Sequence, residues 1–152
     1  MMSRTASDAT VGSSANRDAA RVTGHLDLVR GELALAEGRP TEAIGRFQAA
    51  QVVDPRNASA LESLAAALVA SGQIEDAVKR YEELIAKEPF GAEAQEDWMR
   101  AHVRLGELHE RLGKPDAARA SYERLLAIWK DGDADLVALN EARAHLAKLV
   151  QR

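Results

Sequence analysis

The sequence predicts an all-α protein, a short solenoid of three stacked helix pairs finished by a C-terminal helix. Two observations carry that prediction. The apolar share, 46% of 152 residues, is mostly Ala and Leu, with aromatics at only 4%; Ala and straight-chain residues favour helix, whereas strands draw on β-branched and aromatic ones. The chain also repeats itself. Gly38 and Gly72, Ala43 and Ala77, Phe47 and Tyr81, Pro55 and Pro89 are four successive pairs, each 34 residues apart. A fixed period of this length marks stacked supersecondary units, none of which buries its apolar face alone. A third copy, with Gly106, Gly113, Ala118 and Tyr122, is offset by 41 instead of 34, an excess of seven residues around Gly91 to Asp97.

Each element follows from local chemistry. Residues 1–16 are mostly small and polar, with almost nothing large to bury, and are expected to form a disordered leader. Gly38, Gly72 and Gly113 each end the first helix of a unit, where the chain needs a left-handed backbone that glycine adopts cheaply. Pro40 and Pro115 then open second helices, where a missing N–H costs nothing. Ala43, Ala77 and Ala118 are small where two helices approach, and Phe47, Tyr81 and Tyr122 lie one turn along the same face. Pro55 and Pro89 stop the second helices, leaving helices of about fourteen residues. After the third unit, Leu136, Leu139, Ala142, Leu146 and Leu149 fall at helical spacing, with Asn140, Glu141, Arg143 and Lys148 between them. A helix over about 134–150, apolar inside and polar outside, caps the open end of the stack.

These residues resemble the tetratricopeptide repeat. Its turn glycine, alanine, aromatic and terminal proline recur at the right offsets in units 24–57 and 58–91, with a less complete third at 99–132, inside a domain spanning 17–152. Departures are present too. The family's early Trp is replaced by Asp27, Leu61 and His102, its Tyr by Ala34, Leu68 and His109, and the third unit ends in Lys130 instead of proline. The segment YERLLAIWKDGDADLVALNEARAHLAKL is also similar to the ends of tetratricopeptide tails on bacterial kinases and transcription regulators.

The resemblance implies a right-handed superhelix whose concave groove, lined by the first helix of each unit, holds a partner peptide or helix. It places Leu28, Glu32, Leu35, Glu62, Val69, Arg100, Arg104 and Glu107 there as partner-contact residues, with His25, Ser59, Ser63, Ala66, Val103 and Glu110 on the same surface. Some members clamp a C-terminal carboxylate with Lys and Asn in the first unit, Asn in the second and two basic residues in the third. Here those places hold Leu28 and Glu32, then Ser63, and only Arg100 and Arg104 keep the pattern. These arginines either grip an acidic group of a partner or pair with Glu96, Glu107 or Glu110 on their own helix.

Other functional classes find little support. Twenty basic against twenty-four acidic residues give a net charge of −4 without a long run of either sign, which argues against nucleic acid and anionic membrane. No segment approaches the roughly 18 apolar residues of a membrane span. The chain has no cysteine, which excludes disulfides and thiolate metal sites and suits the cytoplasm. KDGDADL, from Lys130 to Leu136, spaces three aspartates like half a calcium loop, but it lacks the glycine at position six and the glutamate at twelve. The same residues serve as a helix stop at Gly132 and an N-cap at Asp133 or Asp135. His102 and His109 are seven apart without a further ligand, and no nucleophile or phosphate-loop motif is present. Trp98 and Trp129 either pack between helices or, for Trp98 above all, offer an exposed anchor. A non-catalytic interaction module without cofactor or metal is therefore expected. Self-association as a homo-oligomer, or service as the tail of a larger bacterial signalling protein, is the alternative.

Overall fold

The computed structural model describes residues 5–86, 92–130 and 136–150. Among them lie seven helices and no strand: α1 (Thr5–Ala36), α2 (Pro40–Val53), α3 (Ala58–Ala70), α4 (Ile74–Ile85), α5 (Ala92–Arg111), α6 (Pro115–Ile128) and α7 (Val137–Val150). Helices α1 with α2, α3 with α4, and α5 with α6 form three hairpins. The first helices α1, α3 and α5 also meet across the stack, and α7 packs on both α5 and α6. The all-α stack of three pairs and a capping helix is the predicted architecture.

The turns inside the hairpins share one construction. Gly38, Gly72 and Gly113 have φ of +72, +80 and +67°. In the first, the Gly38 N–H donates to the Leu35 carbonyl at 3.1 Å and the Arg39 N–H to Ala34 at 2.8 Å; the other two repeat this with Val69 and Leu68, then with Glu110 and His109. This pair of hydrogen bonds satisfies carbonyls the helix end would leave orphaned, and it requires a left-handed residue where glycine stands. Pro40 and Pro115 follow at the first positions of α2 and α6. Between units, the Asn57 side chain accepts from the Ala60 N–H at 2.9 Å and caps α3. Pro89, Gly132, Asp133 and Asp135 lie outside the described residues.

Packing within a hairpin centres on one ring. Phe47, Tyr81 and Tyr122 are at most 2% exposed, and Ala43, Ala77 and Ala118 are fully buried beside them. A Cβ added at Gly31 would come within 2.5 Å of the Phe47 ring, and one at Gly106 within 2.3 Å of the Tyr122 ring. In the first and third hairpins the ring therefore rests directly on the backbone of the opposite helix.

Two elements differ from expectation. Helix α1 begins at Thr5, inside the segment expected to be a disordered leader. Extending an existing helix adds one bond per residue fixed, so a stretch without proline prolongs a helix nucleated by packing downstream. The seven-residue excess lengthens α5 to 20 residues, against 13 in α3. Trp98 in this added stretch is only 6% exposed. Its Nε1–H donates to the carbonyl of Ile85 at 3.0 Å, a free carbonyl at the end of α4. Its ring meets His102 edge-on at 4.3 Å and lies 5.5 Å from Trp129. Trp98 is thus a staple between units, not an exposed anchor.

His102 is fully buried, and burial lowers its pKa to about 4. Tyr81→Ala is expected to cost on the order of 3 to 5 kcal/mol in denaturant unfolding, as truncation of a large buried aromatic does; a cost below about 1 kcal/mol would contradict its place in the core. The buried imidazole refuses a proton that the unfolded chain accepts below its ordinary pKa of 6.5. Stability is therefore full above that value and falls as pH drops towards 4, by at most about 3 kcal/mol. In His102→Leu this part of the acid sensitivity should vanish, as pH-dependent melting will show.

Candidate partner-binding face

The first helices place the expected groove residues on one side of the stack, with differing degrees of freedom. Leu28, Leu35 and Val69 are half-buried and pack on the core of the first two hairpins, so each offers only one side to a partner. Glu32 is exposed and accepts from the Ser63 hydroxyl at 2.6 Å, tying α1 to α3. Ser59 donates to Asp97 at 2.9 Å and ties α3 to α5 in the same way. Seryl-to-carboxylate bonds thus cross both junctions of this surface.

Both arginines are engaged on their own helix. Arg100 donates to Glu96 at 2.6 Å, and Arg104 to Glu107 at 2.8 Å. Bonding to Glu107 raises the Arg104 pKa. Ion pairs this exposed are worth at most about 1 kcal/mol, because solvent competes for both ends. They are therefore readily exchanged.

Beside them lies a recess of about 330 Å³, lined by the apolar Ala66, Val69 and Leu108 with Tyr81, and by the charged Glu62, Arg104, Glu107 and Arg111. Glu62 is the unusual member. It is half-buried, and no polar atom of a described residue makes a hydrogen bond or salt bridge to its carboxylate. Burial raises its pKa, Asp97 and Glu32 push the same way, and Arg100 and Arg104 offset them only in part. Burial, with Glu62 nearby, likewise pushes the Tyr81 phenol far above its usual range. A desolvated acceptor in a partly apolar recess is suited to a donor group brought by another molecule.

Two residues expected in the groove belong elsewhere. Val103 is fully buried against α7 within the second core, and Glu110 accepts from the Tyr122 hydroxyl at 2.8 Å while facing His145 Nδ1 at 2.8 Å. His145 also stacks on Tyr122, with ring centroids 5.1 Å apart. Helix α7 covers the inner side of α5, as a further unit would, and this closes the groove at that end. The Glu110, Tyr122 and His145 cluster was not anticipated from sequence. Its one available signal was that a buried tyrosine hydroxyl needs a partner. Among the described residues no group of acidic or histidine side chains is arranged to hold a metal ion, and no helix is long and apolar enough to cross a membrane.

Stacked hairpins with a concave, mixed-charge face define a helical-repeat scaffold. The chain belongs to the tetratricopeptide repeat family, whose model matches residues 28–72 and 64–133. It is 30% identical over 114 residues to the Hsp70-Hsp90 organizing protein of Triticum aestivum, covering 75% of this chain but 18% of that protein. The chain thus spans less than a fifth of that relative. Among solved structures it is similar to the first repeat domain of Spaghetti bound to an HSP90 peptide, with TM-score 0.66, 21% identity, and coverage of 86% of this chain and 93% of that one. It is also similar to PcrH in complex with the chaperone binding region of PopB, with TM-score 0.68, 22% identity, and coverage of 82% and 94%. At these identities the two structures establish the shared fold.

A carboxyl whose folded pKa is raised is disfavoured when ionised, so its burial costs stability above the folded pKa and none below the unfolded value of 4.5. Glu62→Gln should therefore raise the melting temperature at pH 7, with the gain shrinking at pH 4. A lower melting temperature at pH 7 would mean that the two arginines hold the carboxylate favourably.

Proposed function

We propose that this protein is a non-catalytic interaction module that seats an extended or helical segment of a partner protein along the concave face of α1, α3 and α5. The observation that carries this is the recess around Glu62, where a carboxylate without a hydrogen-bond partner among the described residues shares the lining with Ala66, Val69 and Leu108. An apolar side chain of the partner fills the recess and a neighbouring donor or cation meets Glu62. Arg100 and Arg104 exchange Glu96 and Glu107 for an acidic group of the partner, and Leu28 and Leu35 extend the apolar contact. Leu28, Glu32 and Ser63 stand where a terminal-carboxylate clamp has Lys, Asn and Asn, so the segment is an internal one. Two structural neighbours that hold a peptide or a binding region of another protein support the reading.

Selection of peptides from a display library against the chain, followed by calorimetry, tests it. Glu62→Lys and Arg104→Ala should each weaken the selected peptides at least about tenfold, or 1.4 kcal/mol, while Lys79→Ala on α4 leaves affinity unchanged. Peptides that bind all the groove variants as well as wild type would place recognition elsewhere.

A further inference from the structure

The two ends of the stack are finished differently. Helix α7 turns Leu139, Ala142 and Leu149 inward and leaves Asn140, Glu141, Arg143 and Lys148 exposed, with Val137 and Val150 the exposed apolar residues at its two ends. Helix α1, at the opposite end, leaves Val22, Leu26, Val29 and Leu33 at 60, 45, 53 and 56% exposure. An end cap with a polar outer face is what keeps a helical stack from associating. One end has it and the other does not.

The exposed residues are in strict register. Ala15, Ala19, Val22, Leu26, Val29, Leu33 and Ala36 follow one another at alternating steps of four and three, and all seven are exposed. That spacing is the seam of a two-stranded coiled coil, sustained over three heptads. The fold uses a different face of the same helix, burying Gly24, Asp27, Gly31 and Ala34. Helix α1 also has 32 residues against 14 in α2, so its early turns run past its own hairpin partner.

We propose that α1 pairs with α1 of a second copy of this chain as an antiparallel seam, giving a two-fold dimer. Charge complementarity selects both the occupant and the direction. Pairing about a centre between Asp27 and Leu28 sets Leu26 against Val29 of the second copy, Val22 against Leu33, and Ala19 against Ala36. The flanking positions then bring His25 to Glu32 and Thr23 to Arg30. In the parallel arrangement the same flanks would set Glu32 beside Glu37, a like-sign contact that the antiparallel one avoids. A row that complements itself when reversed is what an isologous interface requires. Acidic Asp18 and Glu32 flank the row, which does not suit an anionic lipid surface. Leu28 and Leu35 take no part in the seam, and only His25 and Glu32, at its edge, are shared with the groove surface.

Sedimentation velocity across a dilution series tests the proposal. The wild-type chain of 16.4 kDa should sediment at twice that mass, and Leu26→Glu with Val29→Glu should sediment as a monomer of unchanged helix content, since both side chains are already half-exposed and lie outside the core. The absence of cysteine allows single spin labels on an otherwise wild-type seam. Labels at Arg30→Cys should lie close across the two-fold axis, whereas labels at Asn16→Cys should be offset by about 35 Å along the helices, from a rise of about 1.5 Å per residue. A wild-type monomer at every concentration overturns the proposal, as does a dimer that persists in the double variant. Short distances at both labels overturn the antiparallel direction.

Discussion

Each hairpin is held at its spacing by one ring resting on the helix opposite. Phe47 over Gly31 and Tyr122 over Gly106 bring ring to backbone with no room for a side chain between them. The second hairpin carries Ala65 at the corresponding place, and Tyr81 is buried there as well. Close approach of the helices lets Ala43, Ala77 and Ala118 fit without voids, and interiors tolerate few voids. The spacing within hairpins then sets how α1, α3 and α5 fan out beside one another, and so sets the concavity that the candidate site occupies. A ring in the core is in this sense upstream of every groove contact.

The third hairpin departs from the pattern where it must end the stack. Its first helix is longer, and the added turns carry Trp98 onto the last carbonyl of α4, that of Ile85. Its inner side is covered by α7, whose His145 shares Glu110 with Tyr122. The same carboxylate that a longer solenoid would present to a partner is consumed in closing this one.

Much of this was legible in sequence because it is local. A left-handed turn demands glycine, a first helical turn accepts proline, and a buried ring needs a small neighbour, so the 34-residue period exposed the hairpins directly. The start of α1 was not legible, since nothing in its composition separates a helix prolonged from below from a free leader. Val103 and Glu110 were misplaced for another reason. Their surroundings depend on where α7 docks, a relation between residues far apart in the chain. Glu62 was recognised as a groove residue, but its isolation was not, because that depends on Arg100 and Arg104 turning towards Glu96 and Glu107 instead.

Helix α5 belongs to two interiors at once. Ala101, Leu105 and Leu108 complete the core of the first two hairpins, while Trp98, Met99 and Val103 enter the core built with α6 and α7. In a linear stack, stability passes between nearest neighbours, so this one helix transmits cooperativity between two blocks that otherwise share little beyond Ile85. The recess bridges α3 and α5, from Glu62 to Arg104. A segment bound there fastens the first block to the helix that the second is built on, and so couples occupancy of the groove to the unity of the whole domain as it unfolds.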